Sequence, residues 1–223
     1  HLDIATQLAR AGKHVLVEKP LDVSLERAQQ LVDMCDHQGV KLAVMLQHRM
    51  RDASLAAARL VAGGTLGTLT STATSVRWWR PQSYYDQPGR GTLARDGGGV
   101  LLTQAIHTLD LMLDLVGPIE SVSALCVNSG LRAIDTEDIA CAVVRFANGA
   151  VGVIDATTVA YPGYPERIEI AGTAGTAWLE GDRLRVQRPG RPPIEVDGSS
   201  GGGTGRLAGT ISQVTGGGGS SRS

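Results

Sequence analysis

The pattern of apolar and polar positions changes once along the chain, close to residue 63. Up to that point, helix-spaced apolar residues alternate with short apolar runs, which predicts the order helix, strand, helix, strand, helix. Beyond it, apolar and polar residues alternate with a period of two, which is typical of half-buried strands. The sequence therefore predicts an α/β unit at residues 1–62 and, at residues 63–197, an α+β unit built on a mostly antiparallel sheet.

Capping residues and short apolar runs mark the elements of the first unit. Gly12 can end a first helix, Ser24 can cap a second helix, and Gly39 can end it. The apolar run at residues 14–17 fits a strand buried on both faces of a parallel sheet, and residues 41–46 supply another strand. An alanine-rich helix closes the unit. The crossovers are long enough to join parallel strands.

The second unit contains one clear hairpin signal, Asn148-Gly149. Both residues tolerate the positive φ of a type I′ turn, and strand-like runs flank them at residues 139–146 and 151–158. Further strands are expected at residues 69–76, 167–171, 177–180 and 183–187. One or two helices complete this unit.

The composition limits the classes of function that the protein can have. With 223 residues, of which 42% are hydrophobic, the chain can bury a core of ordinary size. Its formal charge of -1 supplies no basic field for nucleic acid or an anionic membrane, and no apolar run reaches the length of a membrane span. The start of the chain lacks the pattern of a signal peptide. We expect a cytoplasmic protein with a small-molecule partner, and a disordered Gly/Ser-rich tail at residues 198–223.

Neither the cysteines nor the histidines form a metal-binding pattern. The three cysteines are widely separated and lack a C-x-x-C spacing, which predicts buried thiols in a reducing compartment. The five histidines form no H-x-x-x-H or H-E-x-x-H set. The sequence therefore disfavours a metal-dependent hydrolase and predicts no metal site.

The first candidate site is Glu18-Lys19-Pro20, at the end of the first predicted strand. Open α/β sheets place their ligands at the carboxyl ends of parallel strands, and Pro20 favours an extended backbone at Lys19. A lysine there can orient a substrate hydroxyl and, with a lowered pKa, help to move its proton. The alternative interpretation is a solvated loop lysine before a turn proline.

The second candidate is the stretch 96–110, where three glycines precede a helix. The glycines allow the backbone to approach a ligand closely, and the helix would present its N-terminus to that ligand. At about 100° per residue, Thr103, His107 and Asp110 share one polar face beside an apolar stripe. The alternative interpretation is a helix that carries a hydrogen-bonded core histidine.

The third candidate is an aromatic and polar cluster at residues 78–80 and 84–86, in a chain with only 4% aromatic residues. Such loops can line a polyol pocket through stacking and hydrogen bonds. The alternative is packing between the sheet and a covering loop, which suits the tryptophans better than Arg80 or Tyr85.

Two of these segments resemble the signature segments of the Gfo/Idh/MocA oxidoreductase family. They read AGKHVLVEKP at residues 11–20 and GGGVLLTQAIHTLD at residues 97–110. Weaker similarity follows at residues 138–140, 146–150 and 169–175. The resemblance therefore covers nearly all of the chain before Gly198.

The resemblance implies a nicotinamide-dependent oxidoreductase with two domains. In that family a Rossmann domain binds NAD or NADP, and a second domain with an open-faced, mostly antiparallel sheet holds the substrate and often forms the oligomer interface. Residues 1–62 would be the C-terminal remnant of the Rossmann domain, and residues 63–197 the substrate-binding and oligomerisation domain. The substrate would be a sugar, an inositol or a related polyol, and the protein would form a homo-oligomer through its sheet.

The resemblance also assigns roles to single residues. Lys19 would contact the reacting hydroxyl or carbonyl, and His107 would be the general acid/base. The cofactor side of the site would be formed by Glu18, Lys19, Pro20 and Gln47. Arg49 is a further candidate for a contact to nicotinamide or substrate. Together with the polar residues of the second and third candidate segments, the expected substrate contacts are Arg49, Arg80, Tyr85, Thr103 and His107.

The chain departs from the family pattern in two places. Many members carry Asp or Asn four residues before the histidine, where this chain has Thr103, which cannot supply charge. No G-x-G-x-x-G motif, which would place a pyrophosphate on a helix N-terminus, follows a strand and opens a helix in this sequence. We therefore expect a fragment of a dehydrogenase, with a non-catalytic binding or oligomerisation remnant as the alternative.

Overall fold

The computed structural model describes residues 1–198 of the chain. The tail that was predicted to be disordered therefore lies outside the described residues, apart from Gly198. A small parallel sheet comes first, and a large mixed sheet follows it. This order confirms the predicted α/β unit followed by an α+β unit with an open, mostly antiparallel sheet.

Two helices and two strands form the small unit. In chain order they are α1 (Leu2–Arg10), β1 (Val15–Glu18), α2 (Leu25–His37) and β2 (Leu42–Met45). β1 and β2 run parallel, as predicted. Gly12 and Gly39 follow the two helices with φ near +70° and +65°, and the Ser24 hydroxyl accepts a hydrogen bond from the N–H of Arg27. The predicted helix starts and stops are confirmed.

The prediction that β1 is buried on both faces is wrong. Val15 and Val17 are buried, but Leu16 is 63% exposed. Both helices cover the same face of the small sheet, because Ala5 of α1 and Leu31 of α2 belong to one cluster with the two valines. No element of residues 1–198 packs on the face that carries Leu16.

Eight strands form the large sheet, in the order β10-β9-β8-β7-β3-β6-β5-β4. All neighbouring strands run antiparallel except β3 and β6, which run parallel. The strands are β3 (Leu69–Arg77), β4 (Ile119–Val127), β5 (Ile139–Phe146), β6 (Val151–Thr157), β7 (Arg167–Gly172), β8 (Gly175–Glu180), β9 (Arg183–Arg188) and β10 (Arg191–Asp197). The predicted strands are all present, and β4 and β10 were not predicted.

Helices cover one face of the large sheet. The 3-10 turn Gln47–Met50 leads from β2 into α3 (Asp52–Ala62), and the π turn Leu101–Ala105 leads into α6 (Ile106–Val116). α3 packs on β8, β9 and β10 and on α6, so its alanines enter the core of the sheet although the sequence assigned this helix to the first unit. The domain boundary at residue 62 remains a prediction. Two short helices, α4 (Gln82–Tyr85) and α5 (Leu93–Asp96), lie in the loop after β3.

One helical stretch, Leu93–Val116, is long and apolar enough to cross a membrane, but more than half of it is buried inside the protein. It contains α6, whose Leu111, Met112 and Leu115 belong to the main core cluster. This burial is typical of a core helix.

The other face of the large sheet is open. It exposes Leu125, Val143, Val151 and Val153, which the strand register brings to the same face. Cys141 lies on this face, and Cys126 lies on the edge strand β4, so both thiols are exposed. The prediction of buried cysteines is therefore correct for Cys35 and wrong for the other two.

The β5–β6 hairpin forms at the predicted place with a different turn. Phe146 pairs with Ala150, and the N–H of Gly149 donates to the carbonyl of Phe146 at 2.9 Å. The loop therefore has three residues between the paired positions, where a type I′ hairpin has two. Gly149 has the positive φ, +89°, that such a longer loop places at its last position.

Candidate active site

Lys19 joins the small unit to the large one. It follows β1 directly, and its Nζ donates a hydrogen bond of 2.6 Å to the backbone carbonyl of Thr103, in the π turn before α6. Burial lowers the pKa of Lys19, and the charge of Glu18 opposes that shift. The lysine is thus anchored to a neutral carbonyl one helical turn before His107.

His107 lies in the first turn of α6 and is only 6% exposed. Burial lowers its pKa, and the nearby positive charges of Lys19 and Arg51 lower it further. Its Nδ1 atom is buried and has no hydrogen-bond partner among residues 1–198. The interpretation as a hydrogen-bonded core histidine therefore does not hold for this nitrogen, and the neutral imidazole is favoured near pH 7.

A second histidine, His48, stacks on His107. The ring centroids are 4.9 Å apart with an angle of 30° between the rings, and His48 is 4% exposed. Burial lowers the pKa of His48 to about 4, with a further contribution from Arg51. His48 stays neutral at physiological pH, so His107 faces a neutral ring.

An ion pair lies behind the two histidines. Glu166 accepts a hydrogen bond from Arg51, and one of its oxygens is 3.7 Å from His48 Nε2. Burial raises the pKa of Glu166, but the hydrogen bond from Arg51 and the charges around it outweigh burial, so the net pKa is lowered. Sequence reasoning missed His48, Arg51 and Glu166 because they come together only through tertiary packing.

Two of the three glycines before α6, Gly97 and Gly99, are required by the fold. A Cβ at Gly97, whose φ is +73°, would lie 2.2 Å from the carbonyl oxygen of Val23. A Cβ at Gly99 would lie 1.8 Å from the carbonyl oxygen of Glu137. The Glu137 carboxylate also accepts hydrogen bonds from the N–H groups of Gly99 and Leu101. The helix N-terminus is therefore capped by the protein.

A cavity of about 510 Å³ opens beside Lys19, within the usual size range of small-molecule sites. Its wall includes Pro20 and Tyr85, as well as Thr103. Tyr85 donates a hydrogen bond to Thr158, and burial raises the pKa of its phenol despite that bond. Four of the predicted site residues therefore line one cavity, and Gly98 and Gly99 of the predicted glycine segment line it as well. Further residues of the wall are Tyr84, Arg90, Gln104 and Glu137.

Other predicted site residues lie away from this cavity. The guanidinium of Arg49 is held by two carboxylates of α6, Asp110 and Asp114, so it clamps the 3-10 turn to that helix. Arg80 stacks on Trp78 and Tyr84, at 5.0 and 5.1 Å from their ring centroids. Arg49 is thus bonded within the protein, whereas the buried Nε of Arg80 has no hydrogen-bond partner among residues 1–198. Neither arginine lines the cavity, and their contacts to a substrate remain predictions.

The predicted polar face of α6 is also different. The Thr103 hydroxyl donates to the Gly99 carbonyl at 2.7 Å, and Asp110 pairs with Arg49. The wider spacing of the π turn changes the angle at Thr103, whereas His107 and Asp110 both lie in α6 and keep the α-helical spacing. The charge of Asp110 raises the pKa of His107, but its carboxylate is bonded to Arg49, so no carboxylate of its own helix is bonded to His107.

Glu18 and Gln47 are exposed at the carboxyl ends of the two parallel strands. Among residues 1–198, no group of three or more His, Cys, Asp or Glu side chains could hold a metal ion.

Comparison with known proteins identifies the class. Residues 54–178 match the family model described as "GFO/IDH/MocA C-terminal domain", which covers more than half of the chain. Residues 1–46 match the "Oxidoreductase family, NAD-binding Rossmann fold". The protein belongs to the GFO/IDH/MocA family of oxidoreductases.

Several characterised proteins are similar to it. Myo-inositol 2-dehydrogenase of Thermotoga maritima is 28% identical over 187 residues, which cover 82% of this chain and 54% of that protein. The WlbA dehydrogenase of Bordetella pertussis, solved in complex with NADH and UDP-GlcNAcA, is 35% identical with a TM-score of 0.80, covering 86% of this chain and 61% of that one. Levoglucosan dehydrogenase, solved with NADH and levoglucosan, is 27% identical with a TM-score of 0.79, covering 86% and 55%. The chain spans about half the length of the curated relatives it matches.

Proposed function

We propose that this chain supplies the substrate side and the nicotinamide end of an NAD- or NADP-dependent dehydrogenase that acts on a sugar, an inositol or a related polyol. The observation that carries the proposal is the anchoring of Lys19 beside His107 by its hydrogen bond to the Thr103 carbonyl. A lysine and a buried neutral imidazole are the groups that a hydroxyl needs to lose its proton. The names of the similar inositol and levoglucosan dehydrogenases support this substrate class.

The residues at the strand ends fit the head of a nicotinamide cofactor. Gln47 offers an amide donor and an acceptor, and Glu18 offers a carboxylate, both exposed after neighbouring parallel strands. This donor set matches a carboxamide, and it would hold the nicotinamide beside Pro20. When bound, the nicotinamide supplies the acceptor for the hydride that leaves the carbon of the alcohol.

His107 and Lys19 divide the proton chemistry. His107 is neutral near pH 7 because burial lowers its pKa, so its imidazole can accept the proton of the substrate hydroxyl. Lys19 donates a hydrogen bond to the same oxygen and stabilises negative charge that develops on it. In the direction of reduction, His107 returns the proton. The Glu166–Arg51 pair and neutral His48 hold the imidazole from behind.

The open sheet face is the part that we propose for assembly. Four exposed apolar side chains, Leu125, Val143, Val151 and Val153, lie on it, as is usual for an interface between copies of one chain. A charged substitution, Val153→Glu, should dissociate the oligomer, which light scattering after size-exclusion chromatography would detect. We also propose a cytoplasmic location, in keeping with the nicotinamide chemistry.

Nicotinamide absorbance tests the proposed activity. The protein encoded by the complete reading frame that contains this chain would be offered NAD or NADP with a panel of inositols and sugars. Lys19→Ala and His107→Ala should each lower kcat by about 10²- to 10⁴-fold. Lys13→Ala and His37→Ala, which change exposed residues, serve as matched controls. Turnover that survives both site variants would contradict the assignment.

A further inference from the structure

The cavity beside Lys19 contains three carboxylates, and all of them are already compensated. Glu137 accepts two backbone N–H groups at the start of the helical segment, where the partial positive charge favours an anion. Asp22 accepts hydrogen bonds from the N–H groups of Leu2 and Val23 and from Arg27. Asp96 accepts a hydrogen bond from the N–H of Gly91 and forms an ion pair with Arg95. None of the three is left to repel an anionic ligand at full strength.

Two cations in the same wall form no ion pair in the part of the chain that the structure describes. Among residues 1–198, the guanidinium of Arg90 makes no hydrogen bond and no ion pair. Lys19 is bonded only to a neutral carbonyl oxygen. Arg95 differs from both, because it contacts the Asp96 carboxylate and donates to the Pro88 carbonyl. Within the described residues, Glu137 likewise has no ion pair, so two unpaired cations of the wall face one unpaired carboxylate, and the net unpaired charge is positive.

Arg90 is held in place although its charge is free. Its guanidinium lies 4.4 Å from the ring centroid of Tyr84, whose hydroxyl accepts a hydrogen bond from buried Gln104. The next residue, Gly91, is buried, and its backbone bonds to Asp96, Asp135 and Thr136. A cation positioned in this way loses little conformational freedom when an anion binds to it.

We propose that the cavity takes a carbohydrate that carries an anionic group, a carboxylate or a phosphate, and that Arg90 binds this group. The planar guanidinium matches both groups with two parallel N–H donors. The hydroxyl to be oxidised would then lie toward Lys19. The proposal rests on the proposed dehydrogenase function and narrows its substrate from polyols in general to acidic ones.

Electrostatics favours this substrate class over neutral sugars. A neutral polyol that filled the cavity would displace water from Arg90 and Lys19 without supplying a counter-charge, which costs free energy. An anionic sugar supplies that charge and would also be drawn toward the cavity from solution. The difference in binding free energy between anionic and neutral sugars should therefore depend on Arg90.

Calorimetry with the complete protein and three probes tests the proposal: glucuronate, glucose 6-phosphate and glucose. At low salt, one of the two anionic probes should bind about tenfold more tightly than glucose or better, as expected of a charged hydrogen-bonded contact. Arg90→Gln should abolish this preference and leave the affinity for glucose within about twofold, whereas Arg90→Lys should restore part of it. The two anionic probes distinguish a carboxylate from a phosphate.

Arg185→Gln, at an exposed position of strand β9, removes the same charge outside the cavity and serves as the control. Equal affinity for glucose and both anionic probes would overturn the proposal, and so would an equal loss for all probes in folded Arg90→Gln. Turnover of neutral polyols without any preference for anions would leave the dehydrogenase function standing and remove this inference. An Arg90-dependent preference for anions without any turnover would support the anionic ligand and contradict the dehydrogenase function.

Discussion

The small parallel sheet and the large mixed sheet both leave one face uncovered, but they differ in how much they bury on the other. The cluster of the small unit contains seven buried residues, and the main cluster of the large unit contains eighteen. Because apolar burial provides most of the folding free energy, the two regions should differ in stability. The site that joins them through Lys19 and His107 therefore depends on the weaker region for one of its two central residues.

The largest effect is expected from a substitution in the core of the large unit, the more stable of the two. Phe146→Ala empties the centre of the large core, where the ring is fully buried, and should lower the free energy of unfolding by about 3–5 kcal/mol. Urea unfolding followed by circular dichroism measures this loss. Arg185→Gln, at an exposed position, should change it by about 0.5 kcal/mol or less. A similar loss in both variants would mean that Phe146 does not hold the core.

A smaller and more local effect is expected in the weaker region. Leu31→Ala removes a fully buried side chain between α2 and the small sheet, at a cost of about 2–5 kcal/mol. Hydrogen exchange monitored by mass spectrometry should show faster exchange in residues 1–46 and unchanged protection in β5 and β6. Loss of protection in both regions together would show that they unfold as one unit, against the comparison made above.

The folding stability of the joint between the two units, which is the contact region of Lys19, His48 and His107, should depend on pH. The pKa of His48 is about 4 in the folded protein, below the value of about 6.5 in an unfolded chain. The unfolded chain therefore binds more protons between these values, so stability is complete above about pH 6.5 and falls as the pH drops toward 4.

The loss should be roughly 1–3 kcal/mol, and thermal unfolding across this range measures it. The pKa of His107 is also lowered and adds a loss of the same sign, so His48→Gln should reduce the dependence and His48→Gln combined with His107→Gln should reduce it further, whereas His37→Gln, at an exposed position, should leave it unchanged. Glu166, with its lowered pKa, adds a loss only below the ordinary titration range of a glutamate. A pH dependence that is as large in His48→Gln as in the unchanged protein would contradict the assignment.

The smallest effect is confined to the large region. Glu137→Ala removes the carboxylate that caps the N–H groups of Gly99 and Leu101, which should cost about 1 kcal/mol. Thermal unfolding measures the loss, and Glu137→Gln, which keeps an acceptor, should recover part of it. Exchange in residues 1–46 should stay as it is. An increase there would show that the cap also supports the joint.

Local signals explain why much of the fold was predictable. Ser24, Gly12 and Gly39 act within a few residues of themselves, so their capping roles follow from sequence alone. β10 was missed because it contains Pro192 and Pro193, which argue against a strand. The two prolines are tolerated because β10 is an edge strand with an irregular register between Arg191 and Ile194.

The site was predictable only in part, because its geometry comes from tertiary contacts. Lys19 and His107 stand in recognisable motifs, and the structure brings both to the joint between the two units. His48 lies between Gln47 and Arg49, which were both candidates, but no neighbouring residue in the sequence indicates that its ring stacks on His107 of α6. Arg49 shows the opposite case, since a suitable position after a strand does not reveal that two carboxylates of α6 already hold its side chain.

The π turn at Leu101–Ala105 holds one residue more than an α turn that sweeps the same angle. Deleting one residue there would let the turn close to ordinary α geometry with little rotation of α6, because four residues at about 100° each and five at the wider π spacing turn the chain by nearly the same amount. His107 would keep its direction, but the Thr103 carbonyl that holds Lys19 would shift within the shortened turn. In related sequences, a gap of a single residue at this point should therefore leave the histidine in place and change how the lysine is anchored.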